Sequence, residues 1–140
     1  MFENILLAVD GSEHGLNAAK MAGELARTMN AKQLRIVVAY EPIPPYLGEP
    51  NLQEAINARL DQANAILNAA VHVVETVPAE VHTELLEGSA AEAIIAVANT
   101  RQNDIIVMGS RGLGRIAGAM LGSTSQKVVA HAPCPVLIVR

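Results

Sequence analysis

Aromatic residues are nearly absent from this chain: Phe2, Tyr40 and Tyr46 are the only three, and there is no tryptophan. The core must therefore be filled by Ala, Val, Ile and Leu, and a single-stranded nucleic acid would find no row of rings on which to stack. Basic charge is also scarce. Ten Lys and Arg stand against 14 Asp and Glu, a net charge of −4, which argues against a general electrostatic grip on nucleic acid. A single cysteine, Cys134, excludes an internal disulfide framework. No apolar run approaches the roughly 20 residues of a membrane-spanning helix. Met1-Phe2-Glu3-Asn4 leads directly into a strand-like segment, without a basic-then-apolar signal peptide. The expectation is a cytoplasmic chain that engages neither membrane nor nucleic acid.

What is present is apolar. Hydrophobic residues make up 51% and charged residues 17% of the 140 residues, too apolar for a disordered chain and the length of one domain. Residues 1–140 are accordingly read as a single unit. Short β-branched runs alternate with longer Ala-rich stretches at helical spacing. Strands are predicted over Asn4 to Val9, Leu34 to Ala39, Val81 to Leu86, Ile105 to Met108 and Pro135 to Val139. Leu16, Ala19, Ala22, Ala26 and Met29 give a first helix with one buried face, stopped by Asn30. Ile56, Leu60, Ala63, Leu67, Ala70 and Val74 stripe a second, long helix. Ser89-Ala90-Ala91-Glu92 fits a capping box at the start of a third, which buries Ala91, Ile94, Ile95 and Ala98. A short helix from about Ser123 to His131 is the fourth. The segment Glu41 to Asn51, with four prolines and a glycine, is expected to be an irregular exposed loop.

Strands separated by helices imply right-handed crossovers and a mostly parallel sheet with helices on both faces, a Rossmann-like α/β fold. In such an open sheet ligands sit outside the carboxyl ends of the strands where the strand order reverses, here after strands one and four. Those positions carry the least ordinary sequence. Asp10-Gly11-Ser12 follows the first strand, and Gly109-Ser110-Arg111-Gly112, nine residues, then Gly122-Ser123-Thr124-Ser125 follow the fourth. Glycines let a ligand approach the backbone. The helix start after Gly122 offers free N–H donors, the positive end of a helix dipole and up to three hydroxyls, a socket for phosphate. It is not a Walker A loop, since Ser123 stands where the Lys would be.

The spacing Gly-x2-Gly-x9-Gly-Ser is similar to the nucleotide motif of the ATP-binding universal stress proteins. Ile5-Leu6-Leu7-Ala8-Val9-Asp10-Gly11-Ser12 resembles that family's opening strand and acidic turn. Ile106 to Gly112 resembles its fourth strand and loop, and His131 to Val139 its closing strand. The resemblance implies a five-stranded parallel sheet in the order 3-2-1-4-5 and ATP lying across strands one and four. Ala8, Val9 and Met108 would stand at the ends of those strands. Asp10 would lie near the ribose or the metal side, and Ala39 would offer backbone contacts to adenine. Gly109 and Gly112 would line the ribose and first phosphates, and Gly122, Ser123, Thr124 and Ser125 would hold the outer ones. Arg111 belongs to the same binding loop, at a position that varies within the family, with its side chain either in the site or turned to solvent. Mg²⁺ or Mn²⁺ would be bound through the phosphates, with no metal ligand assigned. The family's habit of dimerising implies a homodimer through the apolar strand 136–139.

Plainer roles compete with some of these. Asp10 could cap the first helix or bond turn amides, and Ser123 could be an ordinary N-cap. Gly114 and Gly118 read as loop flexibility, Cys134 as a packing residue, and Met21, Met29, Met108 and Met120 as core or pocket lining. His14, His72 and His82 share no metal-ligand spacing, and His131 suits a helix C-terminus. No base-and-cation pair frames a γ-phosphate, so no catalytic residue is assigned, and a regulatory ATP-binding module is expected ahead of a slow ATPase or phosphotransferase. A site for AMP or a cyclic nucleotide is the third reading.

Overall fold

The structure is a computed structural model and describes residues 1–111 and 121–140. Strands β1 (Asn4–Ala8), β2 (Gln33–Tyr40), β3 (Glu80–Glu87), β4 (Ile105–Gly109) and β5 (Val136–Val139) form one sheet in the order β3-β2-β1-β4-β5. All four pairings are parallel. Helices α1 (Glu13–Met29), α2 (Asn51–Val74), α3 (Ala90–Thr100) and α4 (Ser123–His131) alternate with the strands. This is the architecture read from the sequence.

β1 is the central strand, and its Ile5, Leu6 and Leu7 are fully buried, as expected of a parallel strand covered on both faces. Alternate residues serve opposite layers. Ile5 and Leu7, with Leu34, Ile36, Val38, Ile105 and Val107, pack beneath α1 and α2. Leu6 and Ala8, with Val37, Ile106 and Met108, pack beneath α3 and α4, against Ala91, Ile94, Ala98 and Val128. Each large aliphatic side chain removed from water in this way contributes about 1.5–3 kcal/mol.

Of the predicted α1 stripe, Ala19, Ala22 and Ala26 are buried and Met29 is half-buried, but Leu16 is not. Gly15, Ala18, Ala19, Ala22, Gly23 and Ala26 face inward, whereas Leu16 is 37% exposed and Met21 38% exposed. The reason is proximity: α1 lies so close to the sheet and to α2 that only small side chains fit, and apolarity alone marked the wrong position. Asn30 ends α1 as expected, in the left-handed conformation with its N–H on the Ala26 and Arg27 carbonyls. Ser89 occupies the N-cap position of α3, but its side chain makes no capping hydrogen bond, so the capping box is not formed. The proline-rich segment holds a short 3₁₀ turn at Pro45–Leu47, and Asn51 already belongs to α2. Ile56 and Leu60 in the first turns of α2 are half-buried, while Ala63, Leu67, Ala70 and Val74 complete the buried stripe.

Candidate functional site

The crevice forms where the sheet's connections diverge. β1 and β4 are neighbours, yet β1 leads through α1 to one side of the sheet and β4 leads toward α4 on the other. Beyond β1 the chain turns sharply through Asp10 and Gly11. Gly11 has φ +87°, the left-handed region that favours glycine, and a Cβ there would also crowd the Ile66 side chain at 3.2 Å. Ser12 then caps α1, its Oγ accepting from the Gly15 N–H at 3.1 Å. Asp10 is not the cap. Its Oδ1 accepts from the Ser12 N–H at 3.0 Å and from the Ser12 hydroxyl at 2.5 Å, which rigidifies the turn.

Across the crevice, Ser110 is 2% exposed and ties four segments together. Its N–H donates to the Val139 carbonyl at 2.8 Å, and its own carbonyl accepts from the Gly122 N–H at 2.7 Å. The same carbonyl accepts from the Ser125 hydroxyl at 3.0 Å, and the Ser110 hydroxyl meets His14 Nδ1 at 2.8 Å. α4 thereby starts at a fixed place. Gly122 is its N-cap, in extended conformation (φ −71°, ψ 165°), with no side-chain capping bond. Ser123 is the first helical residue, so it is not the N-cap. The N–H groups of Ser123, Thr124 and Ser125 have no hydrogen-bond partner among the described residues. The Ser125 hydroxyl is spoken for: besides Ser110, it donates to the Gly122 carbonyl at 3.0 Å.

Between these walls lies a cavity of about 270 Å³. Its lining includes Ala8, Val9, Asp10, Ala39, Met108, Gly109, Arg111, Gly122, Ser123, Thr124 and Ser125. These eleven are all site residues expected from the sequence; the twelfth, Gly112, lies outside the described residues, as do Gly114, Arg115, Gly118 and Met120. The lining also includes Val37, Ala90 and Ile94, which the sequence reading missed. Val37 precedes Ala39 by two on β2 and shares its face, a signal the period of a strand could have supplied. Ala90 and Ile94 lie one turn apart on α3, and nothing in the linear sequence points them at the loops of β1 and β4.

The cavity has two characters. Val37, Ala39, Ala90, Ile94 and Met108 form an apolar cleft, and the amino end of α4 faces it with unpaired N–H groups. Asp10 and Arg111 are the only charged side chains in the described lining. Arg111 Nε is buried without a hydrogen-bond partner among the described residues, and a buried guanidinium N–H left unpaired is costly. Gly109 has a tighter constraint than ligand approach: a Cβ there would lie 2.9 Å from the backbone carbon and Cβ of His14. It admits α1 to the end of β4. Such an apolar cleft ending at a free helix start can hold a flat, weakly polar group and an attached anion.

No group of three His, Cys, Asp or Glu among the described residues is arranged to hold a metal ion. Cys134, half-buried beside the α3–α4 layer, has its thiol pKa raised by burial and then by the Asp104 carboxylate. It is therefore a poor nucleophile near neutral pH. No described helix is long and apolar enough to cross a membrane.

A doubly wound parallel sheet with its crevice between β1 and β4 defines the class: an α/β domain of the kind that takes ligands at the carboxyl ends of its strands. More particularly, the chain belongs to the universal stress protein family, whose model matches residues 1–140. It is 50% identical over 140 residues, all of both chains, to the universal stress protein in the QAH/OAS sulfhydrylase 3′ region of Thermus aquaticus. The fold matches universal stress protein UspA from Lactobacillus plantarum with a TM-score of 0.87 at 29% identity, covering 99% of this chain and 98% of that one. It also matches a universal stress protein solved in complex with cAMP, with a TM-score of 0.76 at 29% identity, over 99% and 97% of the two chains.

Proposed function

We propose that this protein is a regulatory ATP-binding module of the stress response, acting in the cytoplasm and turning its ligand over little or not at all. The observation that carries the reading is the junction of an apolar cleft with three N–H groups at the start of α4 that have no partner among the described residues. Adenine would lie in the cleft lined by Val37, Ala39, Ala90 and Ile94. The outer phosphates would meet the amino end of α4, where N–H donors and helix dipole favour negative charge. Arg111 would supply a cation. Because the Ser125 hydroxyl already bonds two carbonyls, that residue would serve through its N–H, leaving Ser123 and Thr124 to offer hydroxyls. A divalent ion would be held chiefly by the phosphates, with Asp10 the one carboxylate in the described lining.

Thermal shift with ATP, GTP and AMP, each with and without Mg²⁺, tests this. ATP with Mg²⁺ is expected to raise the melting temperature most, and no shift from any of them at millimolar concentration would refute nucleotide binding. A second reading, a sensor of a cyclic or monophosphate adenine nucleotide, draws support from the relative bound to cAMP. A larger shift with cAMP than with ATP would select it.

Hydrolysis needs a positioned base or water-orienting group and cations on the developing charge. Asp10 Oδ1 is occupied by Ser12, and Arg111 is the only described cation in the lining. Turnover is therefore expected well below about 1 s⁻¹. A steady phosphate-release rate above that level, abolished by Asp10→Ala, would make the protein an enzyme instead.

A homodimer through β5 belongs to the same reading. β5 is an edge strand, and its four residues Val136, Leu137, Ile138 and Val139 are all apolar and only partly buried. Unpaired apolar edges invite pairing, which a two-fold copy satisfies. Light scattering at tens of micromolar is expected to give a two-chain mass; a one-chain mass would remove the dimer from the proposal.

A further inference from the structure

We propose that His14 is a positioning residue for the ligand crevice: through Ser110 it sets where the start of α4 stands relative to the β1–α1 turn. The inference deepens the nucleotide-binding reading and rests on it for its affinity consequence. The two walls of the crevice come from segments almost a hundred residues apart, and two side-chain bonds join them among the described residues. One is the His14 Nδ1–Ser110 Oγ contact at 2.8 Å; the other, from Ser12 Oγ to the Arg111 carbonyl, is longer at 3.4 Å. At the far end of the first link, the Ser110 carbonyl receives both the Gly122 N–H and the Ser125 hydroxyl. At the near end, His14 and Gly15 sit so close to Gly109 that a single added carbon would lie 2.9–3.0 Å from their backbone.

The contacts therefore run without a break from α1's first turn through His14, Ser110 and Gly122 to the start of α4. Ser110 is buried, and His14 is the only partner of its hydroxyl among the described residues. Removing the imidazole leaves that hydroxyl without a partner and cuts the bond that ties Ser110, whose carbonyl holds α4, to the first turn of α1. The cleft residues Val37, Ala39, Ala90 and Ile94 are not part of this chain of bonds. Loss of His14 should thus displace the phosphate end of the site and leave the base end in place.

The test uses His14→Ala, His14→Asn and Ser110→Ala in the full chain, with two readouts. By titration calorimetry, His14→Ala and Ser110→Ala are expected to weaken ATP binding about three- to tenfold, the weight of one hydrogen bond. Adenosine affinity should stay unchanged. Asn, whose amide can reach the Ser110 hydroxyl, should restore ATP affinity, and the double variant His14→Ala/Ser110→Ala should lose no more than either single one. Without ligand, the backbone amide resonances of Gly122 and Ser123 are expected to move in His14→Ala and return in His14→Asn. Equal losses of ATP and adenosine affinity, or additive effects in the double variant, would overturn the proposal. So would unmoved Gly122 and Ser123 resonances. If ATP fails to bind the wild type, the nucleotide reading falls, and the resonance shifts alone decide whether His14 positions α4.

Discussion

Gly23→Ala is expected to destabilise the protein by about 2 kcal/mol, although the substitution improves helix propensity. Gly23 lies mid-way along α1, where replacing glycine by alanine would ordinarily gain up to about 1 kcal/mol. Here the added Cβ would stand 2.7 Å from the carbonyl oxygen of Val74 and 3.3 Å from its Cα. Both are backbone atoms at the last residue of α2, so no flexible side chain can yield. That carbonyl is also the acceptor for Arg27 Nη1 at 2.9 Å, and the same nitrogen reaches the Thr76 carbonyl at 3.2 Å. Gly23 and Arg27, one turn apart on α1, thus work together: one makes room for the end of α2 and the other caps it.

Pushing α2 outward costs the overlap, typically 1–3 kcal/mol, and weakens a charge-assisted hydrogen bond of about 1.5–3 kcal/mol. Together these outweigh the propensity gain. Urea denaturation should show the lower stability with an unchanged m-value. Gly23 lies about 12 Å along the helix from Gly15 at the site, so ligand affinity of the folded variant should match the wild type. A Gly23→Ala protein as stable as its parent would mean that the end of α2 relaxes freely.

Gly23 also shows where the sequence was silent. The fold was legible because its central strands are uninterrupted apolar runs, such as Ile5 to Val9 and Ile105 to Met108, and its helices are punctuated by Asn30, by the prolines before α2 and by Gly122. Those signals are local. Close approach between elements is not, and glycines that serve it look like any others. Gly109 read as an opening for a ligand, and its tightest neighbour is α1; Gly23 drew no notice, and it admits α2. Leu16 misled for the same reason, because the tight α1 interface selects for size above apolarity.

The crevice was legible from the β1 and β4 loops, which the strand order brings together and which are rich in Gly, Ser and Asp. Its third wall was not. Ala90 and Ile94 reach the cavity because α3 packs over β2, a consequence of topology alone. Within Asp10-Gly11-Ser12 the sequence left Asp10 between capping α1 and bonding turn amides, and the structure shows the second. Asp and Ser are both good helix caps, and only the turn geometry makes Ser12 the cap and Asp10 its support.

Gly122→Val should separate phosphate recognition from fold stability at one position. Gly122 has φ −71° and ψ 165°, an extended conformation open to any residue, so valine needs no backbone change. Its N–H bond to the Ser110 carbonyl at 2.7 Å is kept. The cost to the ligand-free protein should be only about 1 kcal/mol, because valine is a poorer N-cap than glycine. Ligand binding should suffer more. Gly122 is the N-cap of α4 and lines the cavity, next in the chain to Ser123 and Thr124, where the outer phosphates are proposed to rest. ATP affinity is expected to fall tenfold or more, equivalent to at least about 1.4 kcal/mol. AMP has no outer phosphates and should lose much less, since its base would occupy the cleft of Val37, Ala39, Ala90 and Ile94. Calorimetric titration of both proteins with both nucleotides measures the difference. Equal losses for ATP and AMP would show that Gly122 shapes the whole cavity, and the placement of the outer phosphates at α4 would have to be abandoned.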